Sequence, residues 1–254
     1  MKMARAIIVA AGMGRRLSPY TDDRPKCMVE VAGRSILERQ VDAYRAAGVD
    51  DIVVVRGYLG DRITVPGLTY FENPRFRENN ILASLFCAEE AMEGGFLFSY
   101  SDILFRPEVV RALVDAPGDF GLVIDRRWAD AYEGRDLHPV SEAELARVDD
   151  GRVRAVGKRK VTSADAAGEF IGLARFSGRA AARMRAEYRR LEREIAGGPF
   201  GDAPRFEVAY LTDLLNHLLN AGEAMHPVFI DGGWREIDTT QDLERARSLI
   251  GVLS

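Results

Sequence analysis

The sequence predicts an α/β protein with a mixed, mostly parallel central sheet flanked by helices. Apolar runs at residues 7–9 and 51–55 have the length and the Val/Ile content of buried strands. Residues 36–44 between them carry apolar side chains at helical spacing, and a strand–helix–strand unit of this length implies parallel strands. Later in the chain, Asp149-Asp150-Gly151 separates two alternating segments, which predicts an inserted β-hairpin region.

Bulk composition argues against several classes of protein. The chain has 254 residues, enough for a single large domain, and a formal net charge of −4, whereas general nucleic-acid binding requires a basic surface. Its two cysteines, Cys27 and Cys87, show neither disulfide-framework nor metal-knuckle spacing, which fits a reducing cytoplasm. No apolar stretch approaches the ~20 residues of a membrane span, and the N-terminal run is too short for a signal peptide. We therefore expect a cytoplasmic protein that binds neither nucleic acid nor membrane.

The stretch after the first strand has the composition of a phosphate-binding loop. Residues 10–16 read Ala-Ala-Gly-Met-Gly-Arg-Arg, and Lys26 follows Pro25. Small residues let backbone N–H groups approach a ligand, and the neighbouring cations favour a polyphosphate. The stretch lacks the Gly-Lys-Ser/Thr of a Walker loop, and Leu17 stands where a dinucleotide loop has its third glycine. A generic glycine-rich turn is the alternative interpretation.

The other elements of the first half follow from local signals. A capping box at Ser35 begins a helix that ends at Gly48. Asn79 or Asn80 begins a helix that reaches Met92; the Asn pair serves as a cap alone, or also recognises a pyrimidine edge through its amide groups. Strands are expected at residues 51–55, 68–71 and 95–100.

The second half is predicted to alternate strands and helices without a linker. The long strand at residues 168–176 contains glycines typical of a close backbone approach. Further strands are expected at residues 120–125, 143–148, 152–156, 225–230 and 234–238, and helices at residues 178–195, 206–220 and 239 to about 250.

Two acidic residues stand at the ends of predicted strands. Asp102 follows the strand at residues 95–100, and Asp238 ends the short strand before the last helix. Ligands of open α/β sheets gather at the carboxyl ends of strands, and Mg²⁺ beside phosphates prefers carboxylate oxygens. We therefore expect both carboxylates to bind one Mg²⁺. The alternative is that each residue caps the helix after it.

The cationic residues divide into two groups by their expected roles. Arg16 is expected on the β- and γ-phosphates, and Lys26 between the α-phosphate and an incoming oxyanion, where charge draws two anions together and no general base is needed. The basic run at residues 158–160 is typical of a solvated face, with Lys158 the member nearest a strand end and available to an anionic substrate.

The motif Gly-x-Gly-x-Arg-Leu-x-Pro-x-Thr at residues 12–21, followed by Pro25-Lys26, resembles the sugar-phosphate nucleotidyltransferase superfamily. Residues 79–85 are similar to its phosphocholine cytidylyltransferase branch. Residues 125–138 and 168–172 resemble the phosphonate cytidylyltransferases. The resemblance implies a Rossmann-like GT-A fold in one domain, with a nucleotide-binding half at about residues 1–125 and an acceptor-binding region at about 126–254.

The resemblance also implies a role for each matching residue. By this correspondence CTP contacts Ala10, Ala11, Gly12, Gly14, Asn80, Ser84 and Ser101; its phosphates contact the catalytic residues Arg16 and Lys26; Mg²⁺ is bound by Asp102 and Asp238; and the acceptor contacts Arg126, Arg135, His138, Lys158 and Glu169.

The function implied is a Mg²⁺-dependent cytidylyltransferase that joins CMP from CTP to a small phosphonate or phosphate monoester. Because cations outnumber acids in the acceptor region, we expect a phosphonate with little positive charge, carboxylated or hydroxylated. A phosphocholine or sugar-1-phosphate nucleotidyltransferase is one alternative, and a non-catalytic nucleotide-binding regulatory module is another. Homodimers are common among such enzymes, so a homodimer is a further expectation.

Overall fold

The computed structural model describes residues 5–248. Its strands are β1 Arg5–Ala10, β2 Glu30–Val31, β3 Arg34–Ser35, β4 Asp51–Arg56, β5 Thr69–Glu72, β6 Gly95–Tyr100, β7 Ile103–Phe105, β8 Phe120–Asp125, β9 Glu144–Asp149, β10 Arg152–Lys158, β11 Gly168–Ser177, β12 Met225–Ile230 and β13 Trp234–Glu236. Its α-helices are α1 Ile36–Ala46, α2 Ile81–Phe86, α3 Pro107–Val114, α4 Trp128–Tyr132, α5 Gly178–Ile195, α6 Leu211–Asn220 and α7 Thr240–Ser248.

The central sheet is mixed and, within residues 5–248, contains nine strands. Its main order is β5-β4-β1-β6-β11-β8-β12, and the β9–β10 hairpin pairs with the start of β11. The β5-β4-β1-β6 part is parallel, whereas β11 runs antiparallel to β6, β8 and β9. The predicted fold class, the parallel start of the sheet and the inserted hairpin are all confirmed.

Helices cover both faces of the sheet because its strands are apolar on both sides. Successive side chains of a strand point to opposite faces, so Ile7 packs on one side and Ile8 on the other. The side of Ile7 is covered by α2, α5 and α6, and the side of Ile8 by α1 and α3. Capping at Ser35 begins α1 as predicted, with Glu38 completing the capping box.

Two predicted helices differ in extent from the observed ones. The helix predicted up to Met92 stops at Phe86, where i→i+3 bonds tighten the chain into a 3₁₀ turn at Glu89–Met92. Helix α6 begins at Leu211 rather than at residue 206, because the Asp213 carboxylate accepts the Tyr210 N–H at 2.9 Å and caps the helix there. The predicted end of the last helix near residue 250 lies outside the described residues.

Within residues 5–248, no helix is both long enough and apolar enough to cross a membrane.

Strand β11 bulges at Gly172, where the pairing with β8 shifts register between Phe170 and Ala174. Gly172 has φ +76°, and a Cβ there would lie 2.1 Å from Cδ2 of Tyr100. The close approach predicted for this strand is therefore observed. It seats the ring of Tyr100 directly against the strand.

Replacing Gly172 with Ala should destabilise the protein by about 2–5 kcal/mol, because left-handed strain adds to the clash with Tyr100. The matched control is Gly222→Ala, since Gly222 also has positive φ (+92°) but has open space where its Cβ would be. The free energy of unfolding of that control should fall by only about 1 kcal/mol. Urea unfolding of both variants measures the difference, and equal losses would contradict the packing argument.

Candidate active site

The carboxyl ends of β1 and β6 open onto a cavity of about 390 Å³. The glycine-rich loop after β1 forms one wall and the turn between β6 and β7 forms the floor. Residues of the β9–β10 hairpin region, β11 and β13 close the other side. The predicted phosphate loop and both predicted metal carboxylates thus border one space.

Backbone pairing brings the two acidic segments together. Strands β7 and β13 pair antiparallel, and the Ile237 N–H donates to the Asp102 carbonyl at 2.8 Å. On the opposite side, the buried Gln40 amide of α1 donates to the Tyr100 carbonyl at 2.8 Å and the Ile103 carbonyl at 2.6 Å, which holds the turn carrying Asp102. Carboxylates from residues 102 and 238 therefore face the same point.

The Lys26 ammonium occupies that point in the structure. Its Nζ donates to Asp102 Oδ2 at 2.8 Å and to Asp238 Oδ1 at 2.6 Å. Burial by itself would lower the pKa of Lys26, but the two carboxylates outweigh that effect and raise it. Burial would likewise raise the pKa of Asp238, yet Lys26 and its other partners hold that pKa well below its ordinary value. Lys26 and Asp238 are thus both charged at neutral pH.

Neither acidic residue caps a helix. Helix α3 has Arg106 at its N-cap, and at the start of α7 it is the Thr239 hydroxyl that accepts a helix N–H, from Asp242 at 3.3 Å. The capping alternatives for Asp102 and Asp238 are therefore wrong. Both side chains remain available to the cavity.

The carboxylate pair fits a divalent cation. Asp102 Oδ1 is buried without a hydrogen-bond partner among residues 5–248, so it has coordination capacity to spare. Asp102 Oδ2 and Asp238 Oδ1 share one ammonium, which places them within reach of a single ion. Hard oxygen donors of this kind suit Mg²⁺ when phosphate oxygens supply the remaining ligands.

Most residues predicted to contact the nucleotide line the cavity. These are Ala10, Gly12, Gly14, Asn80 and Ser101, together with Arg16 and Lys26. Gly14 has φ +60°, and a Cβ there would lie 2.8 Å from Cβ of Lys26, so the loop folds directly over the lysine. Asn80 caps α2 by accepting the Ile81 N–H at 2.9 Å while also lining the cavity.

Two predicted nucleotide residues lie behind the cavity wall instead. Ala11 is buried, and its carbonyl accepts the Tyr58 N–H at 3.1 Å. Ser84 is buried on α2, where its hydroxyl accepts from the Asn73 amide at 2.8 Å and donates to the Asn80 carbonyl. Neither residue lines the cavity, so the structure does not support a direct side-chain contact of either with the nucleotide.

The far end of the cavity is acidic. The buried carboxylates of Glu144 and Glu169 line it, accepting from the Tyr100 hydroxyl at 3.0 Å and the Tyr132 hydroxyl at 2.7 Å. Burial raises the pKa of Glu144 to about 7 and that of Glu169 to about 8. Glu169 Oε2 has no hydrogen-bond partner among the described residues. This part of the wall therefore presents two buried carboxyl groups whose pKa values are raised.

Most of the cationic residues predicted to bind the acceptor do not line this end of the cavity. Arg126 is exposed and pairs with Asp231, its Nε donating at 2.9 Å, so it lies outside the cavity. Arg135 and His138 are buried in an ion network with acidic partners. Lys158 does line the cavity, but its Nζ donates to Glu142 at 3.0 Å. The expected excess of positive charge is therefore corrected to an excess of carboxylates.

Sequence reasoning assigned no role to several residues of the wall. Tyr100, Glu142, Glu144, Tyr210 and Glu236 border the cavity without having been predicted to do so. Glu144 lies opposite Lys158 across the hairpin only because the register shifts between Val153 and Ala155, so no local pattern in the sequence marked it. Tyr100 and Glu236 stand within two residues of the predicted metal carboxylates, which was the signal for them.

Comparisons with known proteins agree with this geometry. The MobA-like NTP transferase domain matches residues 6–250. The chain is 33% identical over 250 residues to a CTP:phosphoglutamine cytidylyltransferase of Campylobacter jejuni, covering 94% of this chain and 97% of that one. It is 36% identical over 98 residues to a 2-aminoethylphosphonate cytidylyltransferase of Lancefieldella rimae, covering 37% and 40% of the two chains. A bifunctional IPC transferase and DIPP synthase of Rubrobacter xylanophilus is 30% identical over 254 residues, of which this chain spans about half the length (51%).

Solved structures show the same fold. A CTP:phosphocholine cytidylyltransferase of Streptococcus pneumoniae superposes with TM-score 0.70 and 20% identity, over 97% of this chain and 98% of that one. The inositol-1-phosphate CTP transferase of T. maritima superposes with TM-score 0.77 and 22% identity, over 100% and 97%. The chain belongs to the MobA-like NTP transferase family and is a nucleotidyltransferase with the GT-A-like fold of these cytidylyltransferases.

Proposed function

We propose that this protein is a Mg²⁺-dependent cytidylyltransferase that transfers CMP from CTP to a small phosphonate or phosphate monoester and releases pyrophosphate. The observation that carries the proposal is the contact of Lys26 with both Asp102 and Asp238 beneath a glycine-rich loop. Relatives that act on CTP with phosphate-bearing acceptors support the choice of nucleotide and reaction.

The chemistry needs charge neutralisation more than proton transfer. An oxygen of the acceptor forms a bond to the α-phosphorus of CTP as the bond from that phosphorus to the bridging oxygen breaks, and pyrophosphate leaves. The acceptor oxygen is already ionised, so no base is required. Arg16, whose guanidinium contacts Asp238 at the cavity edge, is placed to bind the leaving phosphates. Lys26 is placed between the two reacting anions.

Asp102 and Asp238 are the residues that would hold the metal. A divalent cation held there would supply positive charge that offsets the negative charge developing on the departing pyrophosphate. The Lys26 ammonium, at the same point, is the group of this chain that can reach the α-phosphate. The flexible four-carbon stem of lysine permits this without a change in the backbone.

We further infer that the acceptor carries an ammonium group, in place of the weakly charged acceptor expected from the sequence. Within residues 5–248, neither Glu144 nor Glu169 makes an ion pair within 4 Å, because Lys158, which faces Glu144 across the hairpin, donates to Glu142 instead. Burying a carboxylate without such a pair is costly. The cavity therefore has cations at the phosphate end and carboxylates at the other. An amine-bearing phosphonate or phosphate monoester matches both ends, and the 2-aminoethylphosphonate enzyme is one relative whose named substrate has this form.

Pyrophosphate release tests the reaction. CTP, UTP, GTP and ATP would each be combined with 2-aminoethylphosphonate, 2-hydroxyethylphosphonate, phosphocholine and glucose 1-phosphate. We expect CTP to be preferred, and the amine to exceed its hydroxyl counterpart roughly ten- to a hundredfold in kcat/KM, the value of one charge-assisted bond of about 1.5–3 kcal/mol.

Each other outcome of that assay identifies an alternative. Equal turnover of the amine and hydroxyl phosphonates would refute the ammonium site while leaving the reaction intact. Preference for glucose 1-phosphate would make the protein a sugar-1-phosphate enzyme. Absence of turnover, with CTP binding detected by calorimetry, would favour the regulatory module.

Replacing Asp102 with Ala should lower kcat with Mg²⁺ by at least ~10²-fold, because one of the two carboxylates for the metal is removed. The matched control is Asp231→Ala, an exposed aspartate that pairs with Arg126 outside the cavity and should keep wild-type activity. Thermal unfolding should show both variants folded. An Asp102 variant that retains most of its turnover would refute the metal role.

Replacing Glu169 with Gln should stabilise the protein progressively as the pH rises from 5 to 8. Because burial raises the pKa of Glu169 to about 8, the folded state holds a proton that the unfolded state releases, and wild-type stability falls across this range. The gain at pH 8 should be on the order of a few kcal/mol, and KM for the amine acceptor should rise.

Glu142→Gln is the control for this prediction. Lys158 lowers the pKa of Glu142, so its ionised form is favoured in the folded state and its replacement should give no gain at high pH. Thermal unfolding from pH 5 to pH 8 measures both variants. Parallel profiles for wild type and Glu169→Gln would show that Glu169 is ionised without cost.

A further inference from the structure

A buried ion network lies directly behind Asp238. Arg135, in the segment between α4 and β9, donates from Nε to Asp242 Oδ1 at 2.6 Å and from its terminal nitrogen to Glu236 Oε2 at 2.8 Å. The side chains of Arg135 and Asp242 are only 5% and 3% exposed. Their charges therefore interact mainly with each other rather than with solvent.

The partner of Arg135 holds the backbone of Asp238. The other oxygen of Asp242 accepts the N–H of Asp238 at 3.1 Å, the N–H of Thr239 at 2.8 Å and the Thr239 hydroxyl at 2.9 Å. One carboxylate thus joins Arg135 to the residue at the metal position. Rotation of Asp242 would release the backbone of Asp238.

His138 packs against the side chain of Asp238 from the same segment. Its Nδ1 lies 3.0 Å from Asp238 Oδ2 and its Nε2 lies 3.5 Å from Glu236 Oε2. The ring is 2% exposed and does not border the cavity. His138, Glu236 and Asp238 each offer one ligand atom within 4.8 Å of the others, but Arg135 already donates to Oε2 of Glu236.

A second pair of contacts secures the segment itself. The side-chain oxygen of Gln241 accepts the Leu137 N–H at 3.2 Å, and the Gln241 amide donates to the Gly134 carbonyl at 3.0 Å. The segment from Gly134 to His138 is therefore fastened to the first turn of α7 on either side of Arg135. It cannot move independently of Asp238.

We propose that Arg135 and His138 are positioning residues that fix Asp238 for metal binding, and that neither contacts the acceptor. The proposal rests on the metal role of Asp238 proposed above. Arg135 acts on the backbone through Asp242, and His138 acts on the carboxylate. Loss of such outer partners typically weakens metal binding ~10–100-fold.

The test compares Arg135→Met with Arg135→Lys, using Mn²⁺ as the probe. Mn²⁺ affinity in the presence of CTP would be measured by electron paramagnetic resonance, alongside separate KM values for CTP and 2-aminoethylphosphonate. Arg135→Met should weaken Mn²⁺ binding at least ~10-fold with less than a ~2-fold change in the acceptor KM, and Arg135→Lys should restore part of the affinity. Arg126→Met, an exposed arginine paired outside the cavity, is the matched control and should behave as wild type.

His138→Leu provides a second variant in case Arg135→Met does not fold. It leaves the Arg135–Asp242 pair intact and should also weaken Mn²⁺ binding. A raised acceptor KM with unchanged Mn²⁺ affinity would overturn the proposal in favour of acceptor binding, and a lowered Tm with unchanged Mn²⁺ affinity would reduce the network to structural support. Wild-type protein that fails to bind Mn²⁺ with CTP would refute the proposed function itself.

Discussion

One ammonium group joins the parts of this active site. Asp102 and Asp238 are 136 positions apart in the chain, and their carboxylates would repel each other in a largely buried cavity. Lys26 lies between them at hydrogen-bond distance from both, and the glycine-rich loop packs over its side chain. The loop, the end of β6 and the start of α7 therefore depend on the same charge. A metal ion at this point would meet a site already assembled for positive charge.

The cavity is electrically polar along its length. Arg16 and Lys26 stand at the end beside the loop, whereas Glu144 and Glu169 stand at the other without a cation of their own. A molecule with a phosphoryl or phosphonyl group at one end and an amine at the other enters such a field in a single orientation. Polarity thereby contributes to orientation as well as affinity. Ionising both groups in the absence of ligand is costly, and their raised pKa values reflect that cost.

The same residue types have different roles according to their partners. Arg126 is neutralised at the surface by Asp231, while Arg135 is neutralised in the interior by Asp242 and Glu236. Only Lys158 among the cations predicted to bind the acceptor lines the cavity, and it too has an acidic partner. A count of charges along the sequence therefore does not show which of them face the cavity.

Local patterns in the sequence determined the fold class, the phosphate loop and the two carboxylates at strand ends. They did so because apolar periodicity, glycine spacing and the parallel unit at the start of the sheet act over short stretches of chain. Tertiary structure alone decided which way the acceptor-region side chains face. The Asp149–Arg152 turn by itself would place Glu144 opposite Gly157, but a bulge near Arg154 shifts the register by one, so that Glu144 and Lys158 share a face beside the cavity. The acidic residues that pair with these arginines, such as Asp242 and Asp231, lie in distant segments of the chain, and no local pattern predicts the pairing.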